Sequence, residues 1–310
     1  LAQESLDIFR ALGDRIFIAA NLRLLGQVAA ATGDYPQAYD LFGRSLALAQ
    51  ETGHKLGITA NNLYLGRLNM ACGRQVEARL CFEASLALAH EMDFKDHISD
   101  NLAELGHLAT LEGDEAAAET YFERCLTLAT NAGYREGLHT TWLYIGKLRV
   151  EQGRLDEALD AFRESLAIAQ SGGMKPSMAA CLIQVAHVHE RQGRHERALS
   201  CLQQGLRLAR ESLATPILLD ALLHIAQDRL INGDAASSAS LAGLVLNHSA
   251  TTAETHQTLT HLLAQLRSRL PAVALEDLLD AGSRQDPDRT AANVLAQWPA
   301  STHTPPETAF

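Results

Sequence analysis

Histidine and carboxylate crowd one stretch of this sequence: His187, His189 and Glu190, with His195 close behind. Imidazole and carboxylate are ligands for zinc-class ions, and a helix offers two of them to one ion when they stand four apart. Side chains two apart on a helix project about 200° from one another. His187 and His189 therefore cannot share an ion, and the stretch reads as surface histidines near a helix end, with no metal site. His256 and His261, five apart, also miss a shared face. No phosphate loop G-x-x-x-x-G-K-[ST], dinucleotide G-x-G-x-x-G, nucleophile elbow G-x-S-x-G or H-E-x-x-H occurs, so neither a cofactor nor catalysis is expected. The acidic pair Asp156 and Glu157 reads as helix-start residues favoured by the helix dipole. Cys72, Cys81, Cys125, Cys181 and Cys201 are odd in number and lack a C-x-x-C. They read as small, buried, reduced thiols of a cytoplasmic protein, with Cys181 and Cys201 able to approach across a helix pair.

The elements that hold these residues follow from composition and period. Over 310 residues, 47% are apolar but only 5% aromatic, so alanine and leucine must fill the core, which favours close-packed helices over a sheet. A net charge of −11 excludes a general phosphate-backbone binder, and no direct nucleic-acid binding is expected. No apolar run is long enough to span a bilayer, and the start carries no basic region followed by an apolar stretch. No membrane association is therefore expected.

Glycine recurs every forty residues at Gly33, Gly73, Gly113, Gly153, Gly193 and Gly233. A second small series runs Gly26, Gly66, Gly106, Gly146, Ala186 and Ala226. Ala38, Ala78, Ala118, Ala158 and Ala198 keep step, as do Phe42, Phe82, Phe122 and Phe162 with Leu202, and Leu46 with its equivalents to Leu246. Such a period marks stacked repeats. Each unit reads as two amphipathic helices. Leu22, Leu25 and Val28 form the first stripe, ended near Gly33. Asp34 caps the second helix, Pro36 sits in its first turn, and Ala38, Phe42, Leu46 and Ala49 form its stripe. Gly53, Gly133 and Gly173 stand where a left-handed residue would stop it. No single pair can bury both faces, so the pairs must stack.

Trp142, Ile145 and Gly146, followed by Ala158 and Phe162, resemble the tetratricopeptide signature W-x2-L-G … A-x3-F. The resemblance spans roughly residues 1–250 and departs from it in a period of forty rather than thirty-four and in the missing closing proline. A longer second helix and a longer following loop are expected from that. Forty-residue repeats of this kind are similar to those in the C-terminal sensor regions of bacterial signal-transduction ATPases and of large LuxR-type or maltose-activator-like regulators. The resemblance implies an all-α, right-handed solenoid: the second helix of a truncated preceding repeat at residues 1–12, six repeats over 15–250, a helical cap over 253–298 and a disordered tail over 299–310. Since Leu1 is not methionine and aligns inside a second helix, an upstream domain of the same chain is expected.

In such arrays the first helices line a concave wall. One column there is Gln27, Arg67, His107, Lys147, His187 and Gln227, with Arg23 one turn from Gln27. In an acidic chain this reads as a cationic track for a protein or peptide bearing acidic side chains or a C-terminal carboxylate, although Glu104, Glu151 and Glu190 stand close by. Tyr64 and Tyr144, with Leu63, Leu143 and Ile183, provide apolar contact, either to a ligand or between adjacent helices. Asn21, Asn61 and Asn101 form an Asn ladder, suited either to a bound peptide's backbone or to the neighbouring repeat. The function implied is a non-enzymatic peptide-binding or ligand-sensing module; the alternative is a scaffold that oligomerises or bridges two proteins.

Overall fold

The computed structural model describes Phe9 and residues 12–298. Most of the expected truncated helix at 1–12, and the whole tail at 299–310, lie outside the described residues. Fifteen α-helices and no strand occur among the described residues. The chain divides into two compact units, residues 1–152 and 153–310.

The first unit holds α1 (Arg15–Thr32), α2 (Tyr35–Glu51), α3 (Lys55–Ala71), α4 (Gln75–Glu91), α5 (Lys95–Glu112), α6 (Glu115–Ala132) and α7 (Arg135–Glu151). The second holds α8 (Leu155–Ser171), α9 (Lys175–Arg191), α10 (His195–Glu211), α11 (Thr215–Ile231), α12 (Ala235–Asn247), α13 (Ala253–Arg269), α14 (Ala272–Ser283) and α15 (Pro287–Gln297). Helices α1 to α11 are 17 or 18 residues long and joined by two or three residues. The six residues by which the period exceeds thirty-four are thus absorbed by the helices, and the longer loop expected after the second helix is not there. Each unit stacks helical hairpins, the α-solenoid architecture.

Caps fall where the sequence puts them. Asp34 accepts a hydrogen bond from the Gln37 amide at 3.1 Å, and Gly33 ends α1 at φ 82°, a left-handed conformation that costs glycine nothing. Gly53, Gly133 and Gly173 take the same conformation, while Asp93 and Leu213 hold it without glycine at the equivalent positions.

The glycine and phenylalanine columns interlock. A Cβ added at Gly66 would lie 2.3 Å from Phe82 Cε1, and one at Gly106 would lie 2.5 Å from Phe122 Cε1. Each glycine opens the space that its own hairpin's ring fills, so the rings are buried. Two stripes differ from expectation. Val28 is 58% exposed, because Leu22, Gly26 and Ala29 make the buried face of α1. Ser45, not Leu46, is fully buried on α2. In the second unit α12 and α14 meet backbone to backbone, since a Cβ at Gly243 would fall 2.1 Å from the Leu279 carbonyl oxygen.

Candidate functional site: the first-helix wall

Three residues of the expected track, Arg67, His107 and His187, meet the next first helix thirty-seven positions on. In the first unit Arg67 on α3 faces α5: its Nε donates to Glu104 Oε1 at 2.7 Å, and its guanidinium lies 3.8 Å from Asp100 Oδ1. His107 on α5 stacks on Tyr144 of α7 with centroids 4.2 Å apart, and Tyr144 donates its hydroxyl to Glu104 Oε2 at 3.2 Å. Helix α5 is buried from Ile98 to Thr110. Arg67 therefore does not offer an open cation, because two carboxylates already take its charge. One guanidinium serves both acids, and burial outweighs it at Asp100: burial pushes that carboxyl up to about 6, while Arg67 and two 3.1 Å hydrogen bonds from the Tyr134 hydroxyl oppose the rise. Gln27 and Lys147 stand half-buried on α1 and α7.

The Asn ladder is built into the stack rather than facing a ligand. Ser45 Oγ donates to the Ala19 carbonyl at 2.7 Å and accepts from Asn61 Nδ2 at 2.9 Å, and Asn61 Nδ2 also reaches the Gly57 carbonyl at 2.8 Å. Ser85, Thr59 and Asn101 repeat the clamp one period on. In the third copy Cys125 bridges the Ser99 carbonyl and Thr141. Asn61 and Asn101 are at most 1% exposed, so both side chains are spent on the stack, with Asn61 also at the floor of the notch described below. Asn21, 6% exposed, bonds the Phe17 carbonyl of its own helix. Leu63 and Ile183 are likewise core residues.

One opening in the first unit is a notch of about 150 Å³ between α1, α3 and α5, lined by Ile16, Arg23, Leu56, Tyr64 and His97 among others. Arg23 and Arg67 hold their guanidinium carbons 5.9 and 5.8 Å from the Tyr64 ring centroid, and Phe42 stacks on that ring at 5.6 Å. Burial, then the Arg23 charge, push the His97 imidazole below its ordinary range. Among the described residues Arg23 makes no ion pair with a carboxylate. An open cavity of about 530 Å³ lies between α4, α5 and α6 and is floored by Ile98, Leu102 and Leu128; nothing in the column spacing pointed to it.

In the second unit the histidine stretch departs from expectation. His189 is fully buried, not at the surface, while His195 is exposed. His187 and Glu190, one turn apart on α9, converge with His224 of α11. The two rings stand 5.5 Å apart. Burial, then the His224 charge, drive the His187 imidazole down to about 4. At His224 burial also acts to lower the value, but the Glu190, Asp220 and Glu254 carboxylates outweigh it and the net shift is upward. Gln227 is half-buried on α11. The thiols of Cys181 and Cys201 are pushed up to about 12, chiefly by burial, which keeps them protonated and unreactive.

Known proteins bear on the fold and on the repeats. Profiles described as tetratricopeptide repeat match residues 22–56, 99–131 and 137–211. No curated protein matches the sequence. Among solved structures, the crystal structure of BtubC (BKLC) from P. vanneervenii is similar, with 21% identity and a TM-score of 0.50 over 67% of this chain and 87% of that one; at that identity the likeness concerns the fold alone. No helix among the described residues is long and apolar enough to cross a membrane. Tetratricopeptide repeats generally mediate protein–protein interaction and are typically non-catalytic. With the forty-residue columns, the matched segments and the stacked hairpins in agreement, the chain carries an all-α array of tetratricopeptide repeats.

Proposed function

We propose that this chain is a non-enzymatic protein-interaction module, the C-terminal part of a larger bacterial regulator, and that it holds an extended segment of a partner against the first-helix wall. The regulator context rests on the forty-residue repeats and their resemblance to sensor arrays, with an upstream domain of the same chain as the second partner. A cytoplasmic location accords with five free thiols. The notch beside Arg23 is the observation that supports the groove reading. It pairs an apolar floor with a guanidinium at its rim, a fit for a side chain or chain end that carries a carboxylate. Arg67 and His107 serve instead to position the wall.

A peptide array presenting acidic internal segments and free C-termini tests this, followed by anisotropy titration of the hits at low and moderate salt. Arg23→Glu is expected to weaken binding roughly tenfold or more, the worth of a hydrogen bond to a charged group. Affinity unchanged in that variant would sink the reading.

The scaffold reading draws on a separate observation. Ile16, Phe17, Leu24 and Val28 leave α1 with large apolar side chains 43%, 51%, 45% and 58% exposed. Light scattering across concentrations separates the two, since a scaffold of this kind self-associates through α1 and a peptide-binding module stays monomeric.

A further inference from the structure

The geometry points to a divalent transition-metal site of the zinc class in the second unit, ligated by His187 and Glu190 of α9 and His224 of α11. One donor atom from each lies within 4.8 Å of the others. Glu190 Oε2 stands 3.5 Å from His224 Nδ1 and 3.9 Å from His187 Nδ1. A tetrahedral ion with ligands at about 2.1 Å needs donor separations of about 3.4 Å, so small rotations of the half-exposed His187 and of Glu190 close the cage. His187 and Glu190 succeed where His187 and His189 cannot, because residues three apart share a helix face.

Two further observations single out this cluster. Glu190 Oε1 is buried with no hydrogen-bond partner, although buried carboxylate oxygens are rarely left so. His224 is 5% exposed and its Nδ1 has no hydrogen-bond partner of good geometry either. A cation held by His224 Nδ1 and, after that rotation of Glu190, by Oε1 or by both carboxylate oxygens satisfies both atoms at once. The surrounding charge suits one: Asp220, held by the Thr255 hydroxyl at 3.3 Å, and Glu254 both bear on His224, against Arg191 alone beside His187. Two imidazoles and one carboxylate select zinc-class ions over magnesium or calcium. Three protein ligands leave a fourth position, and the 36% exposure of the His187 side chain places it on the solvent side.

The test uses the full chain, stripped with a chelator and dialysed. Titration with Co2+ is expected to give the visible bands of a low-coordinate site at one equivalent. Zn2+ is expected to displace it with sub-micromolar affinity and to raise the melting temperature. His187→Gln alters a half-exposed side chain and leaves the fold intact by circular dichroism; it is expected to weaken Zn2+ binding by roughly a hundredfold, and Glu190→Gln by a comparable factor. Absence of Co2+ bands, affinity no better than millimolar, or bands unchanged in His187→Gln would each overturn the assignment.

Discussion

Positions 67 and 104 in the first unit and positions 187 and 224 in the second are the same two places in the repeat, three periods apart. The first pair is arginine and glutamate, the second two histidines. In both units the side chain on one first helix reaches the next first helix. The chemistry differs. Arg67 and Glu104 close on each other at 2.7 Å, and a guanidinium cannot be deprotonated in a protein, so the contact is permanent. His187 and His224 converge on Glu190, with Asp220 and Glu254 also acting on His224, and one oxygen of the Glu190 carboxylate stays unsatisfied. The backbone repeat decides which positions meet; residue type decides whether the meeting is spent on stability or left with donor atoms to spare.

The sharpest way to break the comparison is to remove one member of each pair. Arg67→Ala leaves Glu104, with 3% of its side chain exposed, and Asp100 without a cation. Removing one partner of a buried pair costs about 3 kcal/mol, taken at the low end because a third of Arg67 is solvated. His187→Ala in the metal-free chain strands no fixed charge and is expected to cost well under half as much. Urea denaturation of both variants checks this; equal losses would mean that the two contacts have the same role.

The fold was legible because the signal repeats. A glycine every forty residues, with alanine and phenylalanine in step, dictates hairpins, and at Gly26, Gly66 and Gly106 the ring packs on the glycine of its own hairpin. The wall was only partly legible. Arg67, His107 and His187 share a column in the sequence, but a column does not say what stands opposite each of them. Adding thirty-seven to each number pairs Arg67 with Glu104, His107 with Tyr144 and His187 with His224. His224 lies thirty-four residues beyond Glu190, outside any local motif, so helical spacing alone dismissed the histidine stretch. The Asn ladder carried its own clue: Asn61 and Asn101 each stand sixteen residues after a serine, Ser45 and Ser85, that accepts from them.

A second test uses the pH dependence that the burial of Asp100 creates. The Asp100 carboxyl titrates near 6 in the folded chain and near 3.8 when unfolded. The folded state then binds more protons between those values, so this group's contribution favours folding at low pH and is lost as pH rises from about 4 to about 6. The loss is about 3 kcal/mol, the full shift, which already contains the opposing Arg67 and Tyr134 contacts. Stability measured across that window, wild type minus Asp100→Asn, is expected to show this slope. A difference flat with pH would place Asp100 outside the network.

The smallest effect separates two roles of one residue. Tyr144 stacks on His107 and donates to Glu104 Oε2, while Arg67 holds Glu104 Oε1. Tyr144→Phe keeps the ring and removes only the hydroxyl. Glu104 retains its cation, so the expected cost is about 0.5 kcal/mol, the low end for a hydrogen bond. Tyr144→Leu also removes the stacking and is expected to cost about 1 kcal/mol more. If Tyr144→Phe alone matched Arg67→Ala, the hydroxyl rather than the guanidinium would be what holds Glu104 inside the wall. The first unit would then resemble the second, with a contact held by a neutral donor beside a carboxylate.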